Sequence, residues 1–215
     1  MPFGRGRPGV YIVIYSSFFV MDKSKLRTEA INQALKKTIS ADRLEKYLEA
    51  VDGNLDAAIG LYERNTTLSE AFYAPLQAVE VCLRNALHDQ MTERYGSSWF
   101  TSGAAPLNNE ARRMVDDAYR DLQHEPVPIP DGKVVAELKF AFWVSLIGPT
   151  YDASLWRQAL HKAFLIGGGK PRSTVHGRFN AIRRFRNRVA HHEPILSRPL
   201  DSVHAEIMQA IGWMV

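Results

Sequence analysis

The sequence contains a single cysteine, Cys82, among 215 residues. One cysteine excludes an internal disulfide framework and a zinc site built from several cysteines, and it is typical of a reducing compartment such as the cytoplasm. Cys82 lies inside an apolar helical pattern, so we expect a buried small hydrophobic side chain there rather than a nucleophile. The chain also lacks an HExxH pattern, and Gly167-Gly-Gly-Lys170 lacks the spacing of a Walker phosphate loop. We therefore expect neither a metal nor a cofactor.

Long hydrophobic runs are absent as well. No apolar stretch reaches the roughly 18 to 20 residues of a membrane-spanning helix, so we expect no membrane association. The segment from Val10 to Val20 has the hydrophobicity of a signal peptide but no convincing small-residue cleavage site, and Met21 follows it directly. We therefore expect residues 1–20 to be an N-terminal extension, with Met21 as an alternative start, and residues 21–215 to be one cytoplasmic domain.

Strand-type alternation does not occur after residue 20, and helical patterns fill the remaining sequence. Ser40 and Asn54 are suitable N-caps for helices over 41–51 and 54–65, which predicts a helical hairpin over 40–65. From Thr67 to Tyr95 apolar residues recur every three or four positions, with a kink or break expected at Pro75. Further helices are predicted at about 108–123, 134–147, 154–164, 173–190 and 201–213. The predicted fold is an all-α bundle of about seven or eight helices.

Positive charge is concentrated in one short region. The formal net charge is +4, but seven Lys or Arg residues and no Asp or Glu lie between Lys170 and His192. The rest of the chain carries 20 cations against 23 carboxylates. A local basic stripe attracts polyanions through phosphate contacts, and the alternative is a solvated helix face.

A helical wheel separates the residues of this basic segment. With about 100° per residue, Val175, Phe179, Ile182, Phe185 and Val189 form an apolar stripe that should face the core. The wheel puts Arg183, Arg184, Asn187 and His191 on the opposite side, Arg186 at the border, and His192 beside the stripe. We therefore expect His191 to be available for chemistry and His192 to be buried, provided that the helix reaches residue 191. Pro194 disfavours helical geometry at Glu193 and could unwind this end.

The run Arg184-Phe-Arg-Asn-Arg-Val-Ala-His-His-Glu-Pro-Ile195 resembles the Abi-like (abortive infection) family of the HEPN superfamily, whose ribonucleases carry an Arg, a polar residue, a few others and then a His. Here Arg186, Asn187 and His191 match that pattern. The resemblance extends over about 150 residues, from Leu61 to Trp213. Its other landmarks are Leu61-Tyr, Leu68-Ser-Glu-Ala-Phe72, Glu80-Val-Cys-Leu-Arg-Asn-Ala-Leu87, Tyr95-Gly96, Trp99, Phe140 to Trp143 and Leu155-Trp156.

The resemblance implies a HEPN-like fold and metal-independent RNA cleavage at a composite site of two facing protomers. In that reading His191 is general base or acid, Arg186 binds the scissile phosphate, and Asn187 orients His191 or the ribose. The expected RNA-binding residues are Arg178, Arg183, Arg184 and Arg188. A toxin or abortive-infection effector against phage, with or without an antitoxin partner, is the corresponding cellular role.

A second polar cluster, Glu80, Arg84 and Asn85, lies on the helix that begins near Thr67. Glu80 and Arg84 are four residues apart, so an intrahelical ion pair explains them, and the alternative is that they support the Arg186 site together with His192. Two further functions stay open from the sequence. One is a noncatalytic module that binds RNA or a nucleotide, and the other is a structural dimerisation domain, whose basic face would be buried or neutralised by acidic residues.

Overall fold

The computed structural model describes residues 27–123 and 129–215, so the extension predicted over residues 1–20 lies outside the described part. Within these ranges the chain is helical and contains no strand, which confirms the all-α prediction. No helix in the described ranges is long and apolar enough to cross a bilayer. The α-helices are α1 (Glu29–Ile39), α2 (Ala41–Glu49), α3 (Leu55–Tyr95), α4 (Asn109–Leu122), α5 (Asp131–Glu137), α6 (Phe140–Leu146), α7 (Arg172–Ala190) and α8 (Leu200–Ile211).

The described residues form two compact units, of which the first consists of residues 27–71 and Pro194–Ser197. Its core contains Leu44, Tyr47 and Ala58, all buried. The predicted hairpin over 40–65 lies in this unit, and both predicted caps are confirmed. The Ser40 hydroxyl accepts from the backbone N–H of Arg43 at 3.4 Å, and the Asn54 side chain accepts from that of Ala57 at 3.0 Å.

Buried polar groups also stabilise the first unit. The Arg27 guanidinium lies between the carboxylates of Asp56, at 3.2 Å, and Glu63, at 2.6 Å. The buried Asn65 side chain accepts a hydrogen bond from the backbone N–H of Ile195 at 2.7 Å. Because an unpaired buried N–H costs about 1–3 kcal/mol, this bond stabilises the attachment of the Pro194–Ser197 segment.

The second unit consists of Phe72–Glu193 and Arg198–Val215. Its core includes the apolar stripe of α3, whose members Val79, Leu83, Leu87 and Met91 have no exposed side-chain surface. Aromatic rings fill the space against this stripe, with Trp99 in contact with Phe100, Phe142 and Trp143 at centroid distances of 5.2–6.3 Å. Cys82, which we expected to be buried, is only partly buried, because it lies beside this stripe rather than in it.

The helix α3 runs without a break from Leu55 to Tyr95, whereas the sequence predicts a junction between residues 65 and 67. The hydroxyls of Thr66 and Thr67 donate to the carbonyls of Tyr62 and Glu63 one turn earlier, at 3.1 and 3.2 Å. These polar residues therefore remain compatible with the helix. Pro75 lies inside the helix and does not end it.

Two other helix predictions are wrong in detail. The helix predicted over 134–147 is interrupted at Leu138, whose ψ of 117° is extended and whose carbonyl accepts from the indole N–H of Trp143 at 3.2 Å. The helix predicted over 154–164 is replaced by short helical turns, Pro149–Tyr151, Asp152–Trp156 and Leu160–Phe164. Asp152 binds the guanidiniums of Arg157 and Arg172, and its carbonyl accepts from the Arg157 N–H five residues later, which widens the backbone turn.

Candidate functional site

The helix α7 presents its apolar stripe to the core as the wheel predicts. Val175, Phe179, Ile182, Phe185 and Val189 are all buried. The ring of Phe185 packs edge-on against Phe72 of α3 at a centroid distance of 4.8 Å. This packing places the C-terminal half of α7 beside α3, so polar residues at the border of the stripe lie next to polar residues of α3.

A groove with a volume of about 370 Å³ runs between these two helices. Arg186 lines it from α7, and Glu80 and Arg84 line it from α3. The remaining lining residues are Tyr73, Leu76, Gln77, Val81, Val189 and Ala190. Asn187 and His191 are not among the residues that line this groove. The structure thus brings Arg186 together with Glu80 and Arg84, two of the three polar residues predicted as a cluster on α3. The predicted acid–base residue, His191, lies outside the groove.

Glu80 forms its ion pair with Arg186 rather than with Arg84, so the pair predicted within the helix is wrong. The Glu80 carboxylate lies 3.6 Å from Nε of Arg186, and the two side chains are 28% and 42% exposed. Arg84 instead donates from Nε to the exposed Asn85 side chain at 3.3 Å. The groove therefore holds two guanidiniums. That of Arg186 is partly neutralised by Glu80, whereas that of Arg84 takes part in none of the ion pairs found among the described residues.

The end of α7 is closed by a Schellman motif. The N–H of Glu193 donates to the carbonyl of Arg188 at 2.8 Å, and the N–H of His192 donates to that of Val189 at 3.1 Å. His192 occupies the left-handed position of this motif, with φ of 56°, where glycine is usual. The expectation that His192 is buried is wrong, because the helix ends at Ala190 and the reversal of the chain exposes His191, His192 and Glu193.

Carboxylates neutralise four cations of the basic stripe, and three of these carboxylates are distant in sequence. Arg172 pairs with Asp152, Arg178 with Glu206, Arg186 with Glu80 and Arg188 with Glu193. Four of the seven cations of this segment therefore have an acidic partner. Of the others, Arg184 is exposed, Arg183 donates to Asn180 on its own helix, and Lys170 donates to the carbonyl of Gly167.

Arg178, predicted to bind RNA, contacts α8. It donates to the Glu206 carbonyl at 3.2 Å and to the Gln209 side chain at 3.0 Å. Its guanidinium also stacks over the ring of Trp213, 5.5 Å from the centroid. These contacts hold α7 against the C-terminal helix.

Sequence reasoning missed His176, which lies half-buried near the start of α7. Burial lowers the pKa of His176, and the guanidiniums of Arg172 and Arg183 lower it further. Tyr73 and Gln77 in the groove were not predicted from the sequence either. Their signal was available, because positions 73, 77, 80 and 84 follow helical spacing on one face of α3.

The described residues contain no group of three or more His, Cys, Asp or Glu side chains placed to hold a metal ion. No protein-family model, curated protein or solved structure matches the chain.

Proposed function

We propose that the protein is a metal-independent endoribonuclease of the HEPN type, acting as an abortive-infection or toxin-like effector. The observation that carries the proposal is the position of Arg186, at the edge of a groove beside Arg84 and five residues before the exposed His191. A guanidinium can bind two oxygens of a phosphate, and a histidine can transfer protons near neutral pH.

In the proposed reaction the ribose 2′-oxygen attacks the adjacent phosphorus as its proton passes to a base. The bond from phosphorus to the 5′-oxygen then breaks, and an acid protonates the leaving oxygen. The products carry 2′,3′-cyclic phosphate and 5′-hydroxyl ends. Arg186 stabilises the charge of the pentavalent intermediate, and His191 transfers a proton.

The reaction needs a base and an acid, and His191 lies about 140° from Arg186 on an ideal helical wheel. We infer that two protomers face each other, so that each supplies one His191 and one Arg186 to a composite site. Asn187 lies one helical turn before His191 and is the expected orienting residue, as the resemblance implies; the bond of 2.9 Å between the backbone N–H of His191 and the backbone carbonyl of Asn187 belongs to the helix end.

A structural dimerisation domain is the second candidate, and it is favoured by the neutralisation of four cations of the stripe. In that case α7 belongs to a domain that binds a second copy of the chain and cleaves no RNA. The two candidates differ in whether Arg186 and His191 are needed for any chemical step.

The experiment compares cleavage of single-stranded and hairpin RNA, in the presence of a chelator, by the wild type, Arg186→Ala, His191→Ala and His192→Gly. Loss of a general acid or base lowers the rate by about 100- to 10,000-fold, and we expect such a loss for His191→Ala. Loss of one group that stabilises the developing charge lowers it by about 100- to 1,000-fold, which is the loss expected for Arg186→Ala. His192→Gly is the matched control, since glycine suits the left-handed position and leaves the cap intact. Equal products from the wild type and an Arg186→Ala, His191→Ala double variant would refute the proposal.

A further inference from the structure

The groove extends beyond the proposed catalytic residues to Tyr73, which the reaction does not use. Tyr73 is 54% exposed, among the largest exposures of any bulky apolar side chain in the described residues. Gln77 lies one helical turn further along α3 and lines the same groove. The exposed ring beside an amide at the end of the groove offers a flat face on which a planar group can stack.

The floor of the groove is apolar, whereas the end opposite Tyr73 carries charged side chains. Leu76, Val81 and Val189 supply apolar surface, whereas Arg84 and Arg186 supply positive charge. Tyr73 and Arg84 are eleven residues apart, which is about 16 Å along the helix axis. The volume of about 370 Å³ lies within the range of sites for small organic groups, so the groove has room for a nucleobase.

Stacking on an aromatic ring combined with guanidinium contacts to the backbone is how proteins hold unpaired nucleotides. The amide of Gln77 can donate a hydrogen bond to the edge of a base that stacks on Tyr73, and it can also accept one from that edge. In a duplex the faces of the bases are covered, so a ring such as Tyr73 gains nothing from paired nucleotides.

We propose that the Tyr73 end of this groove is a nucleobase subsite, in which an unpaired base of a single-stranded RNA stacks on Tyr73 while its backbone lies along Arg84 and Arg186. The choice of RNA rests on the proposed function. The consequence is a preference for unpaired over duplex substrates, set by a residue that takes no part in the reaction.

The test measures binding of the full chain to strands that it cannot cleave. The probes are a fluorescent oligothymidylate of about 12 nucleotides, the same strand with abasic sugars, and a duplex of equal length. Base stacking contributes about 1–3 kcal/mol, so we expect the wild type to bind the strand with bases about 5- to 140-fold more tightly than the abasic strand. Tyr73→Ala should remove this difference, and Tyr73→Phe should retain it.

Equal affinity of the wild type for both strands would overturn the subsite, and so would conversion of a dimer to a monomer by Tyr73→Ala, because a second copy would then occupy the groove. The probes have no 2′-hydroxyl, so the result does not depend on cleavage. Base-dependent binding by a chain that leaves RNA intact would support the subsite and reject the proposed reaction, whereas cleavage without base dependence would reject the subsite alone.

Discussion

Replacing Glu80 by Gln should strengthen binding of a nucleic-acid strand, because the carboxylate competes with phosphate for Arg186. At 3.6 Å and an effective dielectric constant of about 20, the two charges attract by about 5 kcal/mol before solvent screening. Both side chains are partly exposed, and measured values for such pairs are about 0.2–1 kcal/mol. We therefore expect Glu80→Gln to raise the affinity by about 1.4- to 5-fold.

The measurement is fluorescence anisotropy with the uncleavable oligothymidylate at about 0.05 and 0.3 M salt, and the gain should shrink at the higher concentration because salt screens the pair. Asp89→Asn is the matched control. It makes the same charge change at an exposed position of α3, about 13 Å further along the axis, which exceeds the screening length at physiological salt. If Glu80→Gln binds no better than Asp89→Asn, Glu80 does not compete with phosphate and instead holds Arg186 in its binding position.

Two further predictions concern residues outside the groove. Arg178→Ala should lower the free energy of unfolding by about 1–3 kcal/mol and leave oligonucleotide affinity unchanged, because the Arg178 guanidinium binds α8 and Trp213. Arg184 is exposed, so Arg184→Ala should lower oligonucleotide affinity and leave the free energy of unfolding unchanged. Denaturant titration measures the first quantity, and fluorescence anisotropy measures the second. His88 accepts from the Trp99 indole at 3.2 Å, and burial lowers its pKa, so the unfolded chain binds a proton that the folded chain does not. The contribution of neutral His88 to stability is therefore complete above pH 6.5, the ordinary pKa, and is lost as the pH falls below it. In urea unfolding, the stability of His88→Gln should be less sensitive to acid than that of the wild type. An equal sensitivity to acid would assign the effect to other groups.

Local sequence signals predicted much of the fold. The buried stripe of α7 and the caps at Ser40 and Asn54 depend on residues within one or two helical turns, and periodicity reports such relations directly. The continuity of α3 through Pro75 was not predictable in this way. Packing of a long apolar face can outweigh the loss of one backbone hydrogen bond, and that balance depends on residues elsewhere in the chain.

In the candidate site, too, relations within one helix were predictable from the sequence and relations between distant residues were not. Arg186 was identified from its own helix, and so was its place at the border of the apolar stripe. Its partner Glu80 was not, because the ion pair joins residues more than one hundred positions apart. The charge of the stripe was misjudged for the same reason, since Asp152, Glu80 and Glu206 approach it only in the folded chain.

The two adjacent histidines show why one structural detail changes the functional argument. On a continuous helix, His192 would lie against the core and could not be removed without loss of stability. The Schellman motif makes it an exposed residue in a left-handed conformation, so its imidazole has no role in the packing of α7. Left-handed geometry costs a non-glycine residue about 1–2 kcal/mol, and His192→Gly should therefore stabilise the fold rather than weaken it. If His191→Ala loses RNA cleavage while its free energy of unfolding is unchanged and His192→Gly retains cleavage, the loss reflects chemistry at His191 and not damage to the helix end.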